Sequence, residues 1–206
     1  MSELAVLGDG ALLAVSGIGP SAAAAAADAL VQAGASALMT FGMAGALDPA
    51  LAPGSVVLPR ELIAADGARF EASPTWRARV AAALIPVRAV TEGILLSSDR
   101  AIETPSDKAA AFHRCGAAAV DMESAAVAQV AARLNLPFIA VRVIVDTAAD
   151  QLPRSVVAAS RAGRVKFARL IGGLLLAPGE IAGLIRLARR YRVAMRSLHA
   201  IGPHLE

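Results

Sequence analysis

The run Phe138-Ile-Ala-Val-Arg-Val-Ile-Val145 constrains this chain more than any other stretch. It is apolar at nearly every position and rich in β-branched side chains. Such a run reads as a strand buried on both faces, as in a parallel sheet covered by helices. Asn135 and Pro137 stand just before it and end the preceding helix, because proline lacks a backbone donor and restricts its neighbour. That helix, residues 123–134, is built from Ala, Val and Leu, with Gln129 and Arg133 as its polar members. Asp146 follows the strand directly. Ligands of open α/β sheets lie beyond the carboxyl ends of strands, so Asp146 is a candidate functional acid. It can also cap the next turn. Glu123, at the mouth of the helix, is either a second functional acid or a first-turn carboxylate favoured by the helix dipole. Arg142, inside the strand, requires a partner if buried, and Asp121 is the candidate.

Upstream, strands and helices alternate. Residues 11–16 read as a strand. The Gly17-Ile18-Gly19-Pro20 turn leads into a helix that starts near Ser21, runs through an alanine tract and stops at Gly34. Gly17 and Gly19 fit a tight strand-to-helix turn; a lone Gly-x-Gly is weak evidence for a phosphate loop. Residues 37–41 form the next strand. Phe41-Gly42-Met43-Ala44-Gly45 reads as a glycine loop at its carboxyl end, where backbone N–H groups can approach a ligand. Residues 48–54 read as a loop, 55–58 as a buried strand, 65–73 as a polar rim or lid, and 74–84 as a helix. Strands at 87–91 and 94–97 follow. Thr104 caps a helix to about Arg114, with Pro105 at its first position, and residues 117–120 lead into Asp121. The alternation argues an α/β fold: a three-layer αβα sandwich around a central mixed, largely parallel sheet, in a single domain over residues 1–206.

Hydrophobic residues make up 56% of the 206 and aromatics only 3%, so the core is built from Ala, Val, Leu and Ile in tight layers. One cysteine, Cys115, excludes an internal disulfide and fits a reducing cytoplasm. With no His/Asn pattern beside it, it reads as a small buried residue. His113, His199 and His204 lack metal-ligand spacing, so neither metal nor cofactor is expected. The opening, with acidic Glu3, does not read as a secretory signal. The aliphatic run at 170–177 is far short of the roughly 20 residues that span a bilayer. No basic surface interleaved with aromatics is visible, which argues against nucleic acid. The positive charge gathers near the C-terminal end, where residues 179–198 read as a basic amphipathic helix. Ile181, Leu184, Ile185, Ala188, Tyr191, Met195 and Leu198 share its apolar face; Arg186, Arg189, Arg190 and Arg196 lie off it, and Arg192 snorkels at its edge. Such a helix packs on the domain or a neighbouring subunit, or lies on a membrane surface.

Two motifs, Val120-Asp-Met-Glu-Ser-Ala-Ala126 and Val141-Arg-Val-Ile-Val-Asp146, carry a resemblance by their order and separation. Together they resemble the purine nucleoside phosphorylase and nucleosidase superfamily, which includes methylthioadenosine/S-adenosylhomocysteine nucleosidase. The likeness runs from about Leu12 over the first three-quarters of the chain. It implies cleavage of a purine N-glycosidic bond, in a homo-oligomer. It implies that Glu123 accepts hydrogen bonds from ribose hydroxyls, Met122 packs under the sugar and Asp146 gives a proton to the purine. Met43, Ala44 and Gly45 would flank the sugar and the nucleophile, and Ala101 and Ile102 would lay their backbone along the base. Some positions depart from the pattern. Bacterial phosphorylases carry an arginine at the position of Thr40 and a serine at that of Met43, both on phosphate. Many relatives have a stacking aromatic where Ala101 stands. The nucleosidases activate water with a glutamate after their first strand; this chain reads as beginning at the family's second strand, and Glu3 and Asp9 are not in the matching context. Water and phosphate as co-substrate both stay open.

The tail and the shortened middle resemble the hopanoid-biosynthesis-associated phosphorylase branch, implied to release adenine from adenosylhopane. A lipid-linked substrate would suit a membrane-surface helix and a place peripheral to the inner membrane. A methylthioadenosine or S-adenosylhomocysteine nucleosidase is the alternative enzyme. A catalytically silent nucleoside-binding protein is the alternative of another class.

Overall fold

The computed structural model describes residues 3–6, 10–17, 19–153 and 181–205. Its elements begin with β1 (Glu3–Val6), β2 (Leu12–Val15), α1 (Pro20–Gln32), β3 (Leu38–Ala46), β4 (Val56–Val57), β5 (Glu61–Ala64) and β6 (Arg69–Glu71). They continue with α2 (Pro74–Leu84), β7 (Val90–Thr91), β8 (Ile94–Ser97), α3 (Pro105–Cys115) and β9 (Ala117–Asp121). The last are α4 (Ser124–Arg133), β10 (Phe138–Asp146) and α5 (Ile181–Ile201). Asp9, the run at 170–177 and the expected helix start at Gly179 lie outside the described residues.

An eight-stranded sheet runs in the order β6-β5-β8-β9-β3-β10-β4-β7. β10 lies parallel to β3 and antiparallel to β4, while β8 lies parallel to both β5 and β9. The sheet is therefore mixed. Successive side chains of a strand point to opposite faces. On β10, Phe138, Ala140 and Ile144 meet α1 and α4, whereas Ile139, Val141 and Val143 meet α2 and α5. Ala111 of α3 packs on Ile63, Leu96 and Val120, away from the α1/α4 layer. Helices on both faces make the expected three layers. The layers sit close because their contact residues are small: Ala23 and Ala27 on α1, Ala126, Ala128 and Ala131 on α4. Asn135 ends the helical segment at φ 53, in the left-handed region that Asn tolerates better than most residues.

Three expectations need correction, and one element was not foreseen. Residues 41–45 are strand, not loop. β3 stays paired with β10 as far as Gly45 opposite Asp146, across a register shift after Ile144, and Gly45 and Ala46 also pair with Val120 and Ala119 on the other side. Its glycines yield side-chain space to β10: a Cβ at Gly42 would lie 3.4 Å from Arg142 Nη1, and one at Gly45 3.0 Å from Asp146 Oδ2. The segment expected as a rim or lid, residues 65–73, belongs to a hairpin at the sheet's edge, with Leu62 opposite Phe70 and Gly67 turning at φ 87. β1 was not legible at all; it pairs antiparallel with β2 in a separate two-stranded sheet. Finally, α5 docks on a face rotated from the apolar one read in the sequence. Arg190 is half-buried and Ala194, Ser197 and Ile201 are buried, while Ile185 and Tyr191 are each 50% exposed. Polar anchoring by Arg190 overrides the hydrophobic stripe. Among the described residues, no helix is long and apolar enough to cross a membrane.

Candidate active site

A cavity of about 200 Å³ opens where the carboxyl ends of β9 and β10 meet the last residues of β3. The candidate catalytic and substrate-binding residues of the sequence all line it: Met43, Ala44, Gly45, Ala101, Ile102, Met122, Glu123 and Asp146. Arg100, Val120, Asp121, Val145 and Leu152 complete the wall. None of the five is a candidate site residue in the sequence; Asp121 reads there as a pairing partner, and Val120 and Val145 only as parts of the motifs.

Asp146 sits at the very end of β10 and is 5% exposed. Its Oδ2 accepts a hydrogen bond from Lys108 Nζ, which reaches up from α3. Lys108 is fully buried, at 0% exposure, and also donates to the Thr147 carbonyl at 2.8 Å. Burial pushes the Asp146 carboxyl above the ordinary carboxylate range; Lys108, and more weakly Arg190, pull it part of the way back. Arg190 of α5 pairs with Asp150, whose Oδ2 also accepts from the Thr147 amide at 2.8 Å and hydroxyl at 2.6 Å. The turn after β10 is thus fastened from two helices.

Glu123 precedes α4 as its N-cap residue without a side-chain capping bond. Its carboxylate is fixed from outside the helix. Oε1 accepts from the Gly19 amide at 3.0 Å, and Oε2 from the Met122 amide at 3.3 Å. Gly19 has φ 100 and ψ 161, a conformation open in practice to glycine alone. The turn before α1 therefore serves to aim an N–H at Glu123.

Beneath the cavity, Arg142 holds the two motifs together. Its Nε donates to Asp121 Oδ2 at 2.8 Å, and its Nη2 to Ser124 Oγ at 2.7 Å and Thr40 Oγ1 at 2.6 Å. The Arg142–Asp121 pairing is the one expected, and it fixes the start of α4 and so the position of Glu123. Lys108 is the residue that sequence reading missed. A signal existed: Ala111, Phe112 and Cys115 follow at +3, +4 and +7, which puts a lysine on the packing stripe of α3. A buried lysine needs an acid. Among the described residues, no group of three or more His, Cys, Asp or Glu is placed to hold a metal ion.

A mixed sheet between helical layers, with two carboxylates on one cavity at its strand ends, defines the class. Residues 4–175 match the profile of the phosphorylase superfamily, and the chain belongs to that family. The match begins nearer the N-terminus and ends later than the likeness read in the sequence, which runs from about Leu12 over the first three-quarters of the chain. Three solved structures share the fold. A putative methylthioadenosine nucleosidase from Weissella paramesenteroides ATCC 33313 is 24% identical, with a TM-score of 0.64 over 82% of this chain and 87% of that one. The 5'-methylthioadenosine/S-adenosylhomocysteine nucleosidase of Neisseria meningitidis, in complex with methylthio-immucillin-A, is also 24% identical, with a TM-score of 0.65 over 82% and 88%. The futalosine hydrolase of Helicobacter pylori strain 26695 is 21% identical, with a TM-score of 0.67 over 85% and 82%. Among curated proteins, none matches significantly.

Proposed function

We propose that this phosphorylase-superfamily enzyme cleaves the N-glycosidic bond of an adenine nucleoside and releases adenine. The observation that carries the reading is the meeting of Glu123 and Asp146 on one cavity. As the bond breaks, its electron pair moves to the purine and the sugar carbon becomes oxocarbenium-like. Asp146, raised toward neutrality by burial, supplies a proton to the purine. Glu123 faces the growing positive charge on the sugar and accepts from its hydroxyls. A water oxygen then bonds to the sugar carbon as one of its O–H bonds breaks and the proton passes to solvent, or a phosphate oxygen bonds there with no proton to lose. Two carboxyls in different environments, one of them pushed up by burial, are a recurring division of labour.

For the 5′-substituent, a thioether of the methylthioadenosine or S-adenosylhomocysteine kind is the first choice. Support comes from the fold neighbours and from the apolar wall of Met43, Ile102, Val145 and Leu152. The lipid-linked nucleoside adenosylhopane is the second. It draws support from α5, where Ile185, Tyr191 and Val193 are exposed among Arg186, Arg189, Arg192 and Arg196. Chromatography of released adenine, with each nucleoside, with and without phosphate and anionic vesicles, tests both. Release from methylthioadenosine in phosphate-free buffer is expected. Faster release from adenosylhopane on vesicles would reverse the order, and tight adenine binding without release from any substrate would leave only a binding protein.

Gly45→Ala tests the placement of the acid. Its Cβ would press on both Asp146 carboxylate oxygens, at 3.0 and 3.2 Å. A misplaced catalytic group loses on the order of 10²-fold in rate, so kcat should fall by about that much with the melting temperature nearly kept. Unchanged kcat would show that Asp146 needs no such clearance.

A further inference from the structure

We propose that Lys108 is a positioning residue for the reaction: it grips one carboxylate oxygen of Asp146 and leaves the acid's other oxygen to carry the proton into the cavity. This rests on the reading of Asp146 as the proton donor. Lys108 is the largest fully buried side chain among the described residues, yet it is a cation. A buried ammonium survives only where its hydrogen bonds are met, and its partners are Asp146 Oδ2 and the Thr147 carbonyl. Both lie at the end of β10 and in the turn after it. A hydrogen bond that served only to hold α3 on the sheet could sit anywhere along their contact. This one is spent on the acid that lines the cavity.

The arrangement also suits the chemistry of proton donation. When Asp146 gives its proton to the purine, it becomes a carboxylate in a buried setting. Lys108 then faces that new charge, so the transfer leaves no isolated anion behind. Arg190 also acts on Asp146 through its charge, but its own partner is Asp150. Arg100, Asp121 and Glu123 are the remaining charged groups on the cavity wall, and Asp121 is committed to Arg142. Among the described residues, Lys108 is the one side chain that donates directly to Asp146.

Lys108→Met removes the charge and the hydrogen bond; Lys108→Gln removes the charge and keeps a donor. Each is compared with Asp146→Asn for adenine release from methylthioadenosine across the pH range. In Lys108→Met, kcat should fall by on the order of 10²-fold with KM nearly unchanged, because Lys108 does not touch the substrate. The alkaline limb of the profile should move to higher pH in both variants, since removing a cation makes the neighbouring acid hold its proton longer. Lys108→Gln should recover part of kcat. Loss of rate with the limb unmoved, no loss of rate, or failure of both variants to fold would overturn the proposal. If Asp146→Asn keeps its activity, it is the acid's own assignment that fails. If Asp146→Asn is inactive and Lys108→Met is normal, only the role of Lys108 fails.

Discussion

Asp146→Asn should lower adenine release by about 10²–10⁴-fold, the usual contribution of a positioned general acid. Asparagine keeps the shape of the side chain and an amide oxygen for Lys108 to donate to, but it has no proton to give. Circular dichroism should therefore be unchanged while the single-turnover rate collapses. The wild-type pH dependence follows from the same group. Burial places its carboxyl above the ordinary carboxylate range. Only the protonated form is a donor, so activity should decline as pH rises through that raised value. The sign for stability is the same. A group whose folded titration point is raised favours the native state at low pH, and that contribution is lost as pH rises through the folded value. The Asn variant should show neither titration. Comparable rates for wild type and variant would remove Asp146 from the chemistry.

Glu123→Gln should cost about 10²–10³-fold in kcat/KM, as expected when a preorganised group facing transition-state charge is lost. Glutamine can still accept from the Gly19 amide. It cannot present a full negative charge to the sugar, and its NH2 group would face the Met122 amide, which now donates to Oε2. Both kcat and KM should suffer, because the ribose hydroxyls lose an acceptor in the ground state as well. A 2′-deoxynucleoside should then lose less on going from wild type to variant than its ribo counterpart. Equal losses on the two sugars would mean that Glu123 does not hold the hydroxyls.

The sequence was most readable where burial is one-sided or complete. β10 could be recognised because a strand covered on both faces is apolar throughout, and α4 because proline and asparagine punctuate its end. Asp146 and Glu123 stood out as acids at the two edges of that unit. The glycines of β3 misled, because a composition typical of loops here makes room for Arg142 and Asp146 across a parallel pair of strands. Such room is a property of two segments about a hundred positions apart, and neither reveals it alone. α5 misled for a related reason: its strongest apolar stripe is not the face that docks, because Arg190 is drawn to Asp150. Lys108 went unread because its partner comes from a different element. The Gly17–Gly19 turn was placed correctly, but its service to Glu123 needed the fold.

The central claim is that one nucleoside spans the two carboxylates. A crystal structure with a non-cleavable adenosine analogue bound tests it most directly. The expected result is a purine nitrogen within hydrogen-bond distance of Asp146 and ribose hydroxyls on Glu123, inside the cavity bounded by Met43, Ile102 and Met122. An analogue bound elsewhere, or bound there with either carboxylate turned away from it, would contradict the claim.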